Sequence, residues 1–121
     1  MAKIVFLPII VAVFLSTGLA MDLTGDWRFS TGDNLYFRQV NNTVWYYGES
    51  SSVSENWTSV GYGILDGNTV KLNWADVPKG NATLMGTAVL NITSDNELLV
   101  IDQTGGWGEK GDRLKRINSG F

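Results

Sequence analysis

Few residues in this chain offer chemistry. There is no histidine and no cysteine among its 121 residues. A His-based acid–base pair, a Ser–His–Asp arrangement and a Cys/His zinc site are therefore excluded. Carboxylates remain, and a glycosidase needs two that face each other at a set separation. Only Asp102 falls on a face assigned inward, opposite Ala88, so no pair forms. No phosphate loop and no Gly-x-Ser-x-Gly elbow is present. The expectation is a protein that is not an enzyme and uses no cofactor and no metal.

Binding is better represented than reaction. Phe37, Tyr46, Tyr62 and Trp74 supply aromatic surface at positions assigned inward, and Gln39 and Asp102 supply polar groups beside them. Apolar walls with a few polar contacts suit a small, largely apolar ligand. The competing reading is that these rings fill a narrow interior. Tyr36, Arg38, Trp45 and Tyr47 fall on the opposite face. They suit a protein partner or a second copy, or serve only as cross-strand pairs. The segment "ADVPKGN", Ala75 to Asn81, is a loop built by Pro78 and Gly80. Trp107 stands in the glycine-rich "TGGWGEKGD", as a lid tip or as an inward plug.

These residues need elements to position them. After residue 20, short alternating runs broken by Gly, Asn and Asp read as all-β. Eight strands are predicted, over 24–30, 34–40, 43–49, 58–65, 69–77, 84–93, 97–104 and 111–117. Short turns join neighbours, so the topology is up-and-down antiparallel. Asn41-Asn42 makes a two-residue hairpin turn, because Asn tolerates positive φ. It sets Phe37 opposite Tyr46, Arg38 opposite Trp45 and Tyr36 opposite Tyr47. Asp66-Gly67-Asn68 is read as a three-residue loop, pairing Ile64 with Val70, Tyr62 with Leu72 and Val60 with Trp74. Leu84, Gly86, Ala88, Leu90 and Ile92 form the inner set of the sixth strand. Eight such strands close into a barrel and remove exposed edges. The alternative is a sandwich of two open sheets.

Residues 1–20, "MAKIVFLPIIVAVFLSTGLA", have one charge, an apolar run and small residues at Gly18 and Ala20. That is the anatomy of a secretory signal peptide. A retained anchor competes, but the run is short for a span and Pro8 interrupts it. The expected mature domain is 21–121, exported to the cell surface, periplasm or medium, with no span after cleavage. Asn-x-Ser/Thr triplets at Asn41, Asn56, Asn81 and Asn91 are candidate glycan acceptors in such a chain. "SSSVSEN", Ser50 to Asn56, reads as a flexible loop. A net charge of −3 argues against nucleic acid as a partner.

In "DLTGDWRFS", Gly25 allows a sharp entry beside Trp27 at the start of the first strand. If the barrel closes, the last strand lies alongside and its "DRLKR" brings a guanidinium to the indole. This resembles the calycins: lipocalins, fatty-acid-binding proteins and avidins. They share a Gly-x-Trp in the first strand and an Arg or Lys in the last that packs across the Trp. The matching residues are Gly25, Trp27 and Arg116, with Arg113 as the other candidate. The lipocalins' Thr-Asp-Tyr-like stretch and the helical lid of fatty-acid-binding proteins have no counterpart. Avidins come closer in size, but the residues they aim at biotin are not matched. "YFRQVNNTVWYYGE" and "WADVPKG" are similar to stretches in small lipocalin-like proteins of microbes. The resemblance implies a calycin-like barrel holding a small molecule at its open end.

Overall fold

A computed structural model describes residues 21–51 and 56–119. The expected signal segment 1–20 and most of the expected flexible loop, 52–55, lie outside the described residues. The strands are β1 (Gly25–Phe29), β2 (Asn34–Val40), β3 (Thr43–Glu49) and β4 (Thr58–Asp66). They continue with β5 (Thr69–Asp76), β6 (Met85–Ser94), β7 (Glu97–Gln103) and β8 (Arg113–Asn118). Each pairs antiparallel with its neighbour in sequence, and β8 returns to β1, so the sheet closes as an up-and-down barrel. Closure decides against the open sandwich and leaves no unpaired edge.

Alternation carries the core. Leu35 and Phe37 of β2, Val44 and Tyr46 of β3, and Leu72 and Trp74 of β5 point inward and are buried. The β2–β3 register is the expected one, with Phe37 opposite Tyr46 and Asn41 at φ 56° in the turn.

Two expected registers are corrected. The β4–β5 connection is a two-residue turn, Gly67-Asn68, with Gly67 at φ 62°. Asp66 therefore pairs with Thr69, and Leu65, Gly63 and Gly61 face Val70, Leu72 and Trp74. One residue of slip turns the whole strand over. Val60, Tyr62 and Ile64 stand on the outside, and glycines occupy the inside. The interior needs them there, because a Cβ at Gly61 would meet the Tyr46 ring and one at Gly63 the Lys71 carbonyl. In β7, Leu90 pairs with Val100 but Val89 pairs with Asp102, so Ile101 is an extra residue. That bulge reverses the facing of Asp102 and Gln103. Asp102 is exposed, and Gln103 is the half-buried member. Leu84, expected inside, is exposed just before β6.

The two ends of the barrel differ. At one, the turns 41–42, 67–68 and 95–96 are tight. Residues 21–24 fold across this end, with Leu23 fully buried. The Trp27 indole N–H donates to the Leu23 carbonyl at 2.9 Å, and Trp27 is itself fully buried. Arg116 lies directly opposite Trp27 in the β1–β8 ladder, its guanidinium carbon 4.5 Å from the ring centroid. It donates to the carbonyls of Thr24 at 3.0 Å, Asp22 at 2.9 Å and Asp95 at 3.1 Å. Burial pushes this guanidinium below its usual value, while Asp22 and Asp95 act the other way. Gly25 has φ 141°, and a Cβ there would collide with the backbone of Asn118 and Ser119. Arg113 instead pairs with Glu97 at 3.1 Å.

Trp27→Ala is expected to lower unfolding free energy by about 3–5 kcal/mol, as for large core aromatics. Urea denaturation of the mature chain measures this. Gly63→Ala is expected to cost about 1–3 kcal/mol through overpacking. Ile64→Thr, one residue away on the outer face, should stay within about 0.5 kcal/mol in the same assay.

Candidate functional site

The other end of the barrel is open. The connections after β1, β3, β5 and β7 run over 30–33, 50–57, 77–84 and 104–112. Among them lies a pocket of about 230 Å³. Phe29, Leu35, Trp57, Trp74, Leu84 and Trp107 form its apolar walls. Strand alternation delivers Phe29, Leu35 and Trp74, the apolar inward residues of β1, β2 and β5 nearest the open end. Trp107 comes from the glycine-rich loop and is buried inward as a plug. Gln103, turned in by the β7 bulge, accepts the backbone N–H groups of Gly106 and Trp107 at 2.9 and 3.0 Å.

Rings fill the barrel below this pocket. Trp27 and Phe37 are 6.1 Å apart between centroids, Phe37 and Tyr46 6.0 Å, Tyr46 and Trp107 5.8 Å, and Trp107 and Phe29 5.4 Å. Most of these contacts are edge-on or tilted, the favoured arrangement for aromatic pairs. The chain of rings runs from the closed end to the pocket. Buried side chains occupy the lower barrel, and the pocket lies at the upper end.

The polar groups at the floor form a relay. The Trp107 indole N–H donates to the Tyr46 hydroxyl at 2.7 Å, and that hydroxyl lies 3.0 Å from Ser59 Oγ. Either hydroxyl can donate in the Tyr46–Ser59 bond. Burial pushes the Tyr46 hydroxyl up to about 12, against the opposing hydrogen bonds from Ser59 and Trp107. It stays protonated at neutral pH. The Trp74 indole N–H donates to the Thr104 carbonyl at 3.2 Å. Trp74 and Trp107 thus offer the pocket carbon surface rather than donors.

Three carboxylates, Asp33, Asp76 and Asp112, complete the lining. Asp76 follows Trp74 by two residues and lies opposite Ser59 in the β4–β5 ladder. One oxygen of Asp76 accepts the Leu84 N–H at 2.9 Å, and one of Asp112 accepts the Glu109 N–H at 2.8 Å. Both oxygens of Asp33 are taken, by Thr31 on one side and Ser51 on the other.

The sequence-predicted contacts divide accordingly. Trp74 is in the wall, Tyr46 is beneath it, and Phe37 lies deeper in the filled core. Gln39 is at the closed end, where it accepts the Leu23 N–H at 3.0 Å and donates to the Asn41 carbonyl at 2.9 Å. Tyr62 is on the outer surface and Asp102 is exposed, so neither faces the interior. Sequence reasoning did not place Phe29, Trp57, Ser59, Asp33 or Asp112 at this site. Phe29 and Asp76 carried a usable signal, the alternation extended to the strand ends. Trp57 carried none, since it lies in a loop outside any period.

The outer face of β2–β4 carries a second aromatic group. Tyr36 stacks on Tyr47 at 6.1 Å, and Trp45 meets Tyr62 at 5.6 Å. All four are exposed, by 37–52%. Among the Asn-x-Ser/Thr triplets, Asn41, Asn56 and Asn81 are exposed and Asn91 is half-buried.

Comparison of the chain with protein-family models, curated proteins and solved structures finds no match.

Tyr46 ties stability to alkaline pH. The unfolded chain releases this proton near 10 and the folded one only near 12. Its contribution is fully present below the lower value and is lost as pH rises through the window. The loss is on the order of 3 kcal/mol. Unfolding midpoints measured across that range should fall less steeply in Tyr46→Phe than in the parent chain.

Proposed function

We propose that the protein is a non-enzymatic, exported binding protein of calycin-like type that holds a small, largely apolar molecule in the open end of its barrel. The observation that carries this reading is the pocket itself: about 230 Å³, walled by aromatic and aliphatic side chains above a fully packed core. A barrel needs no such space for stability, and unfilled volume weakens packing. The Gly25–Trp27–Arg116 arrangement supports the calycin comparison. Export rests on the signal-like residues 1–20. The role as a carrier follows from a site with apolar walls and few polar groups.

A second reading rests on a different observation, the exposed aromatic pairs Tyr36–Tyr47 and Trp45–Tyr62. Contiguous exposed apolar surface marks interaction sites. Here the barrel would be a surface module that engages a protein partner or a second copy.

Two measurements separate these readings. Native mass spectrometry of protein purified from its own source is expected to show a bound small molecule, released on denaturation. Intact-mass analysis of the same material should give a chain starting at or near Met21. A bare mature chain that fails to quench its tryptophan fluorescence with any small apolar compound would remove the carrier reading. Replacing Tyr36, Trp45 and Tyr47 together by Thr should leave folding intact. If it also abolishes self-association in sedimentation, the module reading is favoured.

A further inference from the structure

The pocket's charged groups are of one kind. Asp33, Asp76 and Asp112 line it, and among the described residues no Lys or Arg does. Lys79 and Lys110 stand on the flanking loops but are exposed and line no part of it. Asp76 and Asp112 are half-buried, and each commits one oxygen to a backbone N–H. Their second oxygens have no hydrogen-bond donor among the described residues. An anionic ligand such as a fatty acid would bring a further negative charge to this mouth, where low-dielectric walls strengthen repulsion.

The geometry also tells an organic cation from a metal ion. Among the described residues, no three carboxylates converge closely enough to hold a metal. The charges are spread around an aromatic enclosure instead. Phe29, Trp57, Trp74 and Trp107 surround the space. Ring faces receive ammonium groups, and flat apolar bodies pack against faces and edges alike. At the floor, Ser59 is 3% exposed, shares a hydrogen bond with Tyr46 and borders the pocket. The volume of about 230 Å³ has room for a fused bicyclic ring with a short side chain.

We propose that the ligand class is a small aromatic amine, bound as its ammonium, with the ring body between the indoles and the charge beside Asp76 and Asp112. This inference rests on the binding reading above and names the chemistry of the same site.

The test is calorimetric titration of the mature chain with three probes of matched shape. Tryptamine carries the ammonium, tryptophol a neutral hydroxyl, and indole-3-propionate a carboxylate. Tryptamine is expected to bind about tenfold or more tighter than tryptophol, as one partly desolvated cation contact supplies. Indole-3-propionate should bind most weakly. Asp76→Asn and Asp112→Asn keep an acceptor for the Leu84 and Glu109 N–H groups. Each should weaken tryptamine several-fold and leave tryptophol unchanged, with near-ultraviolet circular dichroism confirming the fold. Equal affinity for tryptamine and tryptophol, or a preference for the carboxylate, overturns the amine assignment and leaves the pocket as a site for another ligand. Silence from all three probes overturns the amine assignment, and native mass spectrometry of the purified protein then decides the carrier reading separately.

Discussion

The contact of Arg116 with Trp27 joins the last strand to the first, and the rest of the barrel depends on it. A sheet of eight strands has two edges, and each edge strand exposes unpaired backbone groups. Closure satisfies them only if β1 and β8 lie at the right register. Trp27 and Arg116 are opposite each other in that ladder. The guanidinium covers the indole and binds three carbonyls around it. The same group anchors residues 22–24, whose Leu23 seals the end. One side chain thus fixes strand register, chain entry and the closed end together. The cation is held by carbonyl acceptors and a ring face, so its burial does not leave it unpaired.

Sealing one end gives the barrel a direction. Tight turns and the N-terminal segment crowd the closed end, and the longer connections gather at the other. Eight strands enclose little volume, enough for side chains or one small ligand. Here the interior is divided between the two uses. Aromatic rings fill it from Trp27 up to Tyr46, and space begins where Trp107 and Phe29 lean over. The glycines of β4 are part of the same packing. The Tyr46 ring of β3 and the backbone of β5 leave no room for a side chain at Gly61 and Gly63.

Electrostatics then gives the space its character. The indole donors of Trp74 and Trp107 are bound to protein acceptors, and the Tyr46 proton is held by burial. The groups still directed at the pocket are carbon surface, one serine hydroxyl and a ring of carboxylates.

Much of the architecture is legible in the chain alone. Alternation of apolar and polar residues requires strands, because side chains on extended backbone point to opposite faces with period two. Asn41-Asn42 sets the β2–β3 register, since so short a turn admits one pairing. Gly25, Trp27 and the basic last strand carry the calycin resemblance, which implies closure, and the structure closes the barrel there. The candidate site was only half readable, and the losses have definite causes. At 66–68, two- and three-residue turns are both compatible with the sequence. A single residue of slip moved Tyr62 from the inside to the outside. The bulge at Ile101 did the same to Asp102, and nothing local marks it. Gln39 has the right parity for a pocket but lies at the wrong end, and a strand's alternation does not say which end is sealed. Trp57, Asp33 and Asp112 lie in or beside loops, where no periodicity operates. The sequence by itself determined the strands and their up-and-down order, because these follow from local pattern and short-range turns, whereas the structure chose closure over a sandwich and Arg116 over Arg113. Tertiary structure alone decided which residues face the pocket, because that depends on registers, bulges and loop paths set by packing across the whole barrel.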